Sequence, residues 1–163
     1  MLFRSQDPFQ CLISFIVSSN SNIQKIKFTL ENLCKKFGKK IIFENKEFFL
    51  FPEPKSLASA SIEEVDSCGA GYRSKFIIEA SKMIFSKKID LNKLKKMEYA
   101  KAKEVLTQIP GVGNKVADCI LLFSLDKLEA FPLDRWTIRI LEDRKSTRLN
   151  SSHSQQSRMP SSA

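Results

Sequence analysis

The chain has 163 residues, enough for one domain with a substantial core, and its hydrophobic fraction of 42% and charged fraction of 28% are typical of a globular protein. No run of about 18 apolar residues occurs and residues 1–4 are too short for a secretory signal, so neither a membrane partner nor secretion is expected. The formal charge of +9 favours a polyanionic partner. We therefore expect an intracellular protein, in the cytoplasm or nucleoid of a prokaryote or the nucleus of a eukaryote.

The four cysteines are widely spaced and form no C-x-x-C pair. They are Cys11, Cys34, Cys68 and Cys119. Zinc sites and disulfide frameworks both use characteristic cysteine spacings, and this chain has neither. We predict that all four are reduced thiols, mostly buried, and that the chain holds no metal.

The first third of the chain predicts two helices and one segment of uncertain structure. Asp7 and Pro8 are suited to an N-cap and a first helical position, and the apolar run after them should form a central helix. The polar residues 18–22 end that helix and cap a second one, which continues to Gly38. Residues 39–51 fit either a short β-hairpin or an apolar loop packed onto the core.

The middle of the chain predicts several shorter helices. They span residues 56–60, 61–68, 74–86 and 91–96. Ser61 and Glu64 have the spacing of a capping box, and Asp90 is suited to cap the last of these helices. The expected buried stripe of the longest one consists of Phe76, Ile77, Ala80, Met83, Ile84 and Phe85.

The segment QIPGVGNK, which ends at Lys115, joins two helical patterns. Gly111 and Gly113 allow positive φ and leave backbone N–H groups uncovered, and these groups lie where the second helix begins. Such a site suits a phosphate oxygen. The sequence therefore predicts a mainly α protein with a helix–hairpin–helix over about residues 99–125.

Two charged residues follow the glycines at informative positions. Lys115 lies on the first turn of the second hairpin helix, and Asp134 opens a later helix over residues 134–142. A lysine and an aspartate at two helix starts can converge on one cleft. The alternative is that the glycine segment is only a turn, Lys115 a solvated lysine and Asp134 an N-cap. The three features together favour the functional interpretation.

Four stretches, in this order and spacing, resemble the 8-oxoguanine DNA glycosylase/AP lyase family of the helix-hairpin-helix DNA glycosylase superfamily. They are QDPFQCLISFIVSSNSNIQKI, GAGYRSKFI, IPGVGNKVADCILLFSLDK and FPLDRW. The resemblance covers about residues 6–142 and implies a multi-helical glycosylase domain over residues 1–142. It also implies that the family's N-terminal sheet domain and C-terminal helices lie outside this chain.

The same resemblance implies catalytic and DNA-binding roles. In that family the lysine equivalent to Lys115 attacks the sugar carbon and the aspartate equivalent to Asp134 assists. The hairpin that would grip a DNA phosphate comprises Gly111, Val112, Gly113 and Lys115. The cysteine equivalent to Cys119 contacts the extruded base, although as an isolated residue Cys119 would be interpreted as a small core side chain.

Four further residues match positions that the family uses to read the cytosine left behind by the flipped base. Asn20 would fill the gap and contact that cytosine, and Tyr72 and Arg73 would supply a wedge and a second contact. Lys25 stands where the family usually has arginine, and a lysine lacks the planar fork for two-point recognition. The alternatives are a helix cap for Asn20, a core aromatic for Tyr72 and a surface charge at a helix start for Arg73.

The resemblance implies a bifunctional enzyme that removes 8-oxoguanine from damaged double-stranded DNA through a Schiff base and then cleaves the strand by β-elimination. This chemistry needs no metal or organic cofactor, and we expect a monomer. Two alternatives stay open: a non-enzymatic helix–hairpin–helix DNA-binding module, which needs neither Lys115 nor Asp134, and a related glycosylase with another base specificity.

The composition changes at residue 143, where an aperiodic serine-rich stretch begins that contains the only histidine, His153. It can be read as a disordered basic tail. Its back-translation is also similar to a common sequencing adapter read in frame, and we prefer this second interpretation. We predict that residues 143–163 are not natural protein, which the source nucleotide read would test.

Overall fold

The computed structural model describes residues 6–134 and 137–140. The elements are α1 (Pro8–Ser18), α2 (Ile23–Phe37), β1 (Lys40–Phe43), β2 (Lys46–Phe49), α3 (Pro54–Ala58), α4 (Ile62–Asp66), α5 (Ser74–Phe85), α6 (Leu91–Lys96), α7 (Tyr99–Thr107) and α8 (Asn114–Ser124). A single 3₁₀ turn, Gly71–Arg73, leads into α5. The predicted mainly α architecture is confirmed, and all these elements belong to one compact unit that ends at Pro132.

Side-chain caps start the helices where the sequence predicts them. The carboxylate of Asp7 accepts from the N–H of Gln10, and the side chain of Asn22 accepts from the N–H of Lys25, both at 2.8 Å. Ser61 and Glu64 form the expected capping box, and Asp90 caps α6. Each cap satisfies N–H groups that a helix start would otherwise leave unpaired.

Helix α1 lies at the centre of the core, as predicted. It is apolar on most sides, and it packs against α2, α5, α6 and α8. Its buried residues are Phe9, Cys11, Leu12, Ile13, Ile16 and Val17. Because these side chains point in several directions around the helix, α1 can serve as the common packing surface for its neighbours.

The segment after α2 is a β-hairpin, which decides between the two structures that the sequence allowed. Strands β1 and β2 pair antiparallel, with Lys40 opposite Phe49 and Phe43 opposite Lys46. Glu44 and Asn45 form the turn, both with positive φ, at 49° and 59°. Two consecutive left-handed residues are the signature of the type I′ turn that closes tight hairpins. This two-stranded sheet is the only one within the described residues.

Two details differ from the prediction. Phe85 is 54% exposed, because α5 ends there and the chain turns away at Lys87, which has a φ of 58°. Ile78 and Ser81 are buried on α5 in its place. Helix α3 begins earlier than expected, because Pro54 occupies a first-turn position, where its missing N–H has no cost.

The described part of the second unit is short. Residues 137–140 are helical, which agrees with the predicted helix from Asp134 onward. Residues 135, 136 and 141–163, which include the serine-rich stretch, lie outside the described residues. No helix in the described part of the chain is long and apolar enough to cross a membrane.

Candidate functional site

The predicted helix–hairpin–helix is present and is formed by α7, a tight loop and α8. The N–H of Val112 donates to the carbonyl of Ile109 at 3.0 Å, and Gly111 has a φ of +85°. Helix α8 begins with Gly113 as its N-cap, and no side chain caps it. The first-turn N–H groups of α8 are therefore not occupied by a capping side chain, which is the condition for binding an anion there.

The hairpin is held tightly against α5. A Cβ atom at Gly111 would lie 2.9 Å from Cβ of Phe76 and 3.0 Å from its ring. Val112, between the two glycines, is buried in the core, whereas a Cβ at Gly113 would meet no atom within 4 Å. Gly111 thus allows the loop to pack closely against Phe76 of α5. Gly113 lies on the open side of the loop, where a ligand could approach.

Lys115, Cys119 and Phe123 follow one another at four-residue intervals and so share one face of α8. Lys115 is exposed and forms no ion pair with any described residue, and Cys119 is buried. Burial raises the pKa of the Cys119 thiol, the charge of Lys115 opposes this, and Asp118 adds to it. The thiol is therefore neutral at pH 7, and it lies close enough to Lys115 to sense its charge.

Two aromatic residues at this face were not singled out from the sequence. Phe123 stacks on Phe15 of α1, with ring centroids 5.9 Å apart and ring planes 17° apart. Phe123 is half exposed, so this stacked pair presents an aromatic surface one turn beyond Cys119. The four-residue spacing along α8 could have identified Phe123, but only tertiary packing brings Phe15 to it.

A second group forms around the loop between α1 and α2. Asn20 in this loop has a left-handed φ of 50°. The Arg73 guanidinium, only 4% exposed, lies beneath it: Nε donates to the carbonyl of Ser19 at 2.8 Å, and Nη2 donates to the carbonyls of Ser19 and, at 2.9 Å, Asn20. Nη1 donates to the carbonyl of Ala70 at 3.3 Å. Four of the five guanidinium N–H groups are thus used to hold backbone in place.

Tyr72 completes this group. Its ring is 57% exposed and lies under the Arg73 guanidinium, 4.5 Å from the ring centroid, and its hydroxyl donates to the carbonyl of Ser19 at 3.4 Å. The structure therefore brings Asn20, Tyr72 and Arg73 together. Lys25 lies exposed on the first turn of α2, and its amine makes no hydrogen bond to these three described residues.

The structural alternatives for these three residues are wrong. Asn22, and not Asn20, caps α2; Tyr72 is exposed and so is not a core aromatic; and Arg73 is buried and so is not a surface charge. For Asp134 the alternative is present: its carboxylate accepts from the N–H of Thr137 at 2.8 Å and from its hydroxyl at 2.9 Å. Capping fixes the orientation of this side chain at the start of its helix.

A family model for the HhH-GPD superfamily of base excision DNA repair proteins matches residues 13–159. The chain belongs to the HhH-GPD superfamily. The match reaches into the serine-rich stretch after residue 143, and the adapter origin of that stretch stays a prediction. The helix–hairpin–helix of α7 and α8 is accordingly the hairpin of an HhH-GPD protein.

Known HhH-GPD proteins resemble most of the chain. The chain is 39% identical over 134 residues to a protein of Arabidopsis thaliana named N-glycosylase/DNA lyase OGG1, covering 79% of this chain and 36% of that protein. The crystal structure of Clostridium acetobutylicum 8-oxoguanine glycosylase/lyase in its apo-form superposes with a TM-score of 0.81 at 36% identity, covering 85% of this chain and 49% of the other. The same enzyme in complex with dsDNA containing cytosine opposite to 8-oxoG gives a TM-score of 0.78, covering 82% and 46%. The chain therefore spans half or less of the length of these relatives.

Proposed function

We propose that this chain carries the helix–hairpin–helix part of a bifunctional DNA glycosylase/AP lyase that removes 8-oxoguanine opposite cytosine. The observation that carries the proposal is the position of Lys115. It is an exposed amine without an ion pair among the described residues, at the uncapped start of α8, with Cys119 on the next turn. The names of the Arabidopsis and Clostridium relatives supply the base and the reaction class.

The hairpin would act first, by holding a phosphate of the duplex. Backbone N–H groups at the start of α8 and the helix dipole favour a phosphate oxygen, and contacts of this kind position a protein without reading sequence. A stacked base must leave the duplex before its sugar can be attacked, at a cost of a few kcal/mol. Phosphate contacts and the exposed ring of Tyr72 would offset part of that cost.

Chemistry would follow at Lys115. Its neutral amine forms a bond to the anomeric sugar carbon, and the damaged base leaves with the electrons of the glycosidic bond. Opening of the sugar ring gives a Schiff base to the lysine, and β-elimination then breaks the bond to the 3′ phosphate. Asp134 is proposed to stabilise the positive charge that develops on the sugar.

The group of Asn20, Tyr72 and Arg73 would read the opposite strand. Asn20 lies in an exposed loop with a left-handed backbone, and the guanidinium of Arg73 fixes the carbonyls on both sides of it. Lys25 would contribute a more weakly directed contact, because an ammonium has no planar fork. Such reading matters because excision opposite adenine would fix a mutation.

Borohydride trapping tests the proposal. The chain, its Lys115→Gln variant and its Lys101→Gln variant are incubated with one duplex that holds 8-oxoguanine opposite cytosine and another that holds an abasic site. Lys101 is the matched control because its side chain is 71% exposed on α7, in the same hairpin. We expect a covalent adduct on both duplexes that Lys115→Gln loses and Lys101→Gln keeps.

Other results of the trapping experiment would distinguish the alternative functions. An adduct on the abasic duplex alone would show that the lysine is competent but that this chain does not excise the base. Binding of both duplexes by a folded chain without any adduct would contradict the enzyme and favour the DNA-binding module. An adduct that survives in Lys115→Gln would assign the chemistry to another amine.

A further inference from the structure

A partly buried polar network connects the two helices of the hairpin. The hydroxyl of Tyr99 on α7 donates to one carboxylate oxygen of Asp118 on α8 at 2.7 Å. The amine of Lys103, one turn along α7, donates to the other oxygen at 2.9 Å and to the Tyr99 hydroxyl at 3.1 Å. Each of the three side chains thus contacts the other two.

Exclusion of water from the Asp118 carboxylate strengthens its contacts with Lys103 and Tyr99. The Asp118 side chain is only 7% exposed and that of Lys103 is 26% exposed. A carboxylate removed from water needs a paired charge and hydrogen bonds, and Asp118 has both. The hydrogen bond to Asp118, followed by that to Tyr99, raises the pKa of the Lys103 amine, so this amine is charged throughout the neutral range.

The position of Asp118 gives the network a functional consequence. Asp118 follows Lys115 by three residues on α8, a spacing at which a carboxylate and a lysine on a helix commonly form an ion pair. In this structure both Asp118 oxygens are instead taken by groups of α7. Lys115 forms no ion pair with a described residue, although its nearest acidic neighbour along the helix is one turn away.

We propose that Lys103 and Tyr99 are positioning residues that keep Asp118 away from Lys115, so that the Lys115 amine is not held as a paired ammonium ion. The proposal rests on the assignment of Lys115 as the Schiff-base nucleophile. A lysine that attacks carbon must lose its proton, and a salt bridge to Asp118 would favour the protonated form. Removing the positive charge of Lys103 should release Asp118 to make that salt bridge.

The two cysteine thiols on α1 and α8 carry no competing charge. Helices α1 and α7 pack against α8. From α1, the thiol of Cys11 interacts with that of Cys119, and burial raises the pKa of Cys11 to about 11 and also raises that of Cys119. Both thiols are therefore neutral at pH 7, so they add no charge beside Lys115.

The test measures the rate of borohydride trapping on the abasic duplex between pH 5.5 and 9. Lys103→Met and Lys103→Gln remove the charge, and Gln retains a hydrogen-bond donor in case Met disturbs the fold. We expect the trapping rate at pH 7 to fall about five-fold in both variants. The midpoint of the pH profile should move to higher pH by about 0.7 unit, which is the same change expressed on a logarithmic scale. The double variant Lys103→Met with Asp118→Asn should return both quantities to within about two-fold of the wild type, and Lys103→Arg should not move the profile.

A network that only stabilises the fold would behave differently. It would lower the melting temperature of the variants without moving the pH profile, and Asp118→Asn would then restore only the melting temperature of Lys103→Met. An unshifted profile in both Lys103 variants, or a double variant no better than Lys103→Met, would overturn the inference alone. The absence of any adduct in the wild type would overturn the proposed function, and the inference with it.

Discussion

Gly111→Ala should lower the free energy of unfolding by about 1–5 kcal/mol, through two effects that the structure separates. The first is backbone strain, because Gly111 has a φ of +85° and an L-residue there costs about 1–2 kcal/mol. The second is overpacking, because the new Cβ would lie 2.9 Å from Cβ of Phe76, an atom fixed to the backbone of α5. Such a clash costs about 1–3 kcal/mol, and the stiffer unfolded chain of the variant offsets about 0.4–1 kcal/mol of the total.

Two other glycines provide matched controls. Gly71 has a φ of +61° but open space around its Cβ position, so Gly71→Ala should show the strain alone, about 1 kcal/mol. Gly113 has a φ of −89° and equally open space, so Gly113→Ala should change stability by less than about 0.5 kcal/mol. The added methyl group of Gly113→Ala lies at the start of α8, and we expect it to weaken duplex binding instead.

Urea unfolding followed by circular dichroism measures the three free energies, provided that the m-values agree. Fluorescence anisotropy with a labelled duplex measures binding by the same preparations. The expected order of destabilisation is Gly111→Ala, then Gly71→Ala, then Gly113→Ala. Gly113→Ala should instead show a loss of duplex affinity that its small change in stability does not explain. Equal stability of Gly111→Ala and Gly71→Ala would refute the role of Phe76, and a strongly destabilised Gly113→Ala would refute the open geometry of the hairpin.

Arg73→Lys should lower the free energy of unfolding by about 2 kcal/mol, because an ammonium cannot donate to the carbonyls of Ser19 and Asn20 in the way that the planar guanidinium does. The same variant should discriminate less well between cytosine and adenine opposite the lesion. The ratio of trapping rates on the two duplexes measures the second effect, and an unchanged ratio would contradict the positioning of the Asn20 loop by Arg73. In the folded protein Cys34, which is half buried, should react with iodoacetamide at pH 8 well before Cys11, whose thiol is buried and has its pKa raised to about 11. Mass spectrometry after timed quenching gives the order, and equal rates for the two thiols would show that α1 is not the centre of a stable core.

The sequence by itself determined the local features of this protein. The caps at Asp7 and Asp90, and a cap for α2 within residues 18–22, are confirmed because a cap is a hydrogen bond between residues two or three positions apart, which spacing specifies. The hairpin of α7 and α8 was predictable for the same reason, since a glycine turn between two apolar periods is a short-range pattern. The residues around it also carried the resemblance to the superfamily.

Only the tertiary structure decided the partners across long sequence separations. Helical periodicity shows which face of a helix is apolar, but it does not show which distant residue will lie opposite that face. The clamp of Arg73 on Ser19 joins residues more than 50 positions apart. The close fit of Gly111 against Phe76 likewise depends on how α5 packs onto the hairpin.

The capture of Asp118 by Lys103 shows the same limit at closer range. On the sequence, Asp118 has the spacing to pair with Lys115 of its own helix, and nothing local excludes that pair. The packing of α7 against α8 places a second lysine and a tyrosine hydroxyl at the carboxylate, and burial then makes those contacts the favourable ones. The residue types of the candidate site could therefore be predicted from the sequence. The partners that position those residues depend on the packing of the helices, because a buried charge pairs with the groups that the fold brings to it.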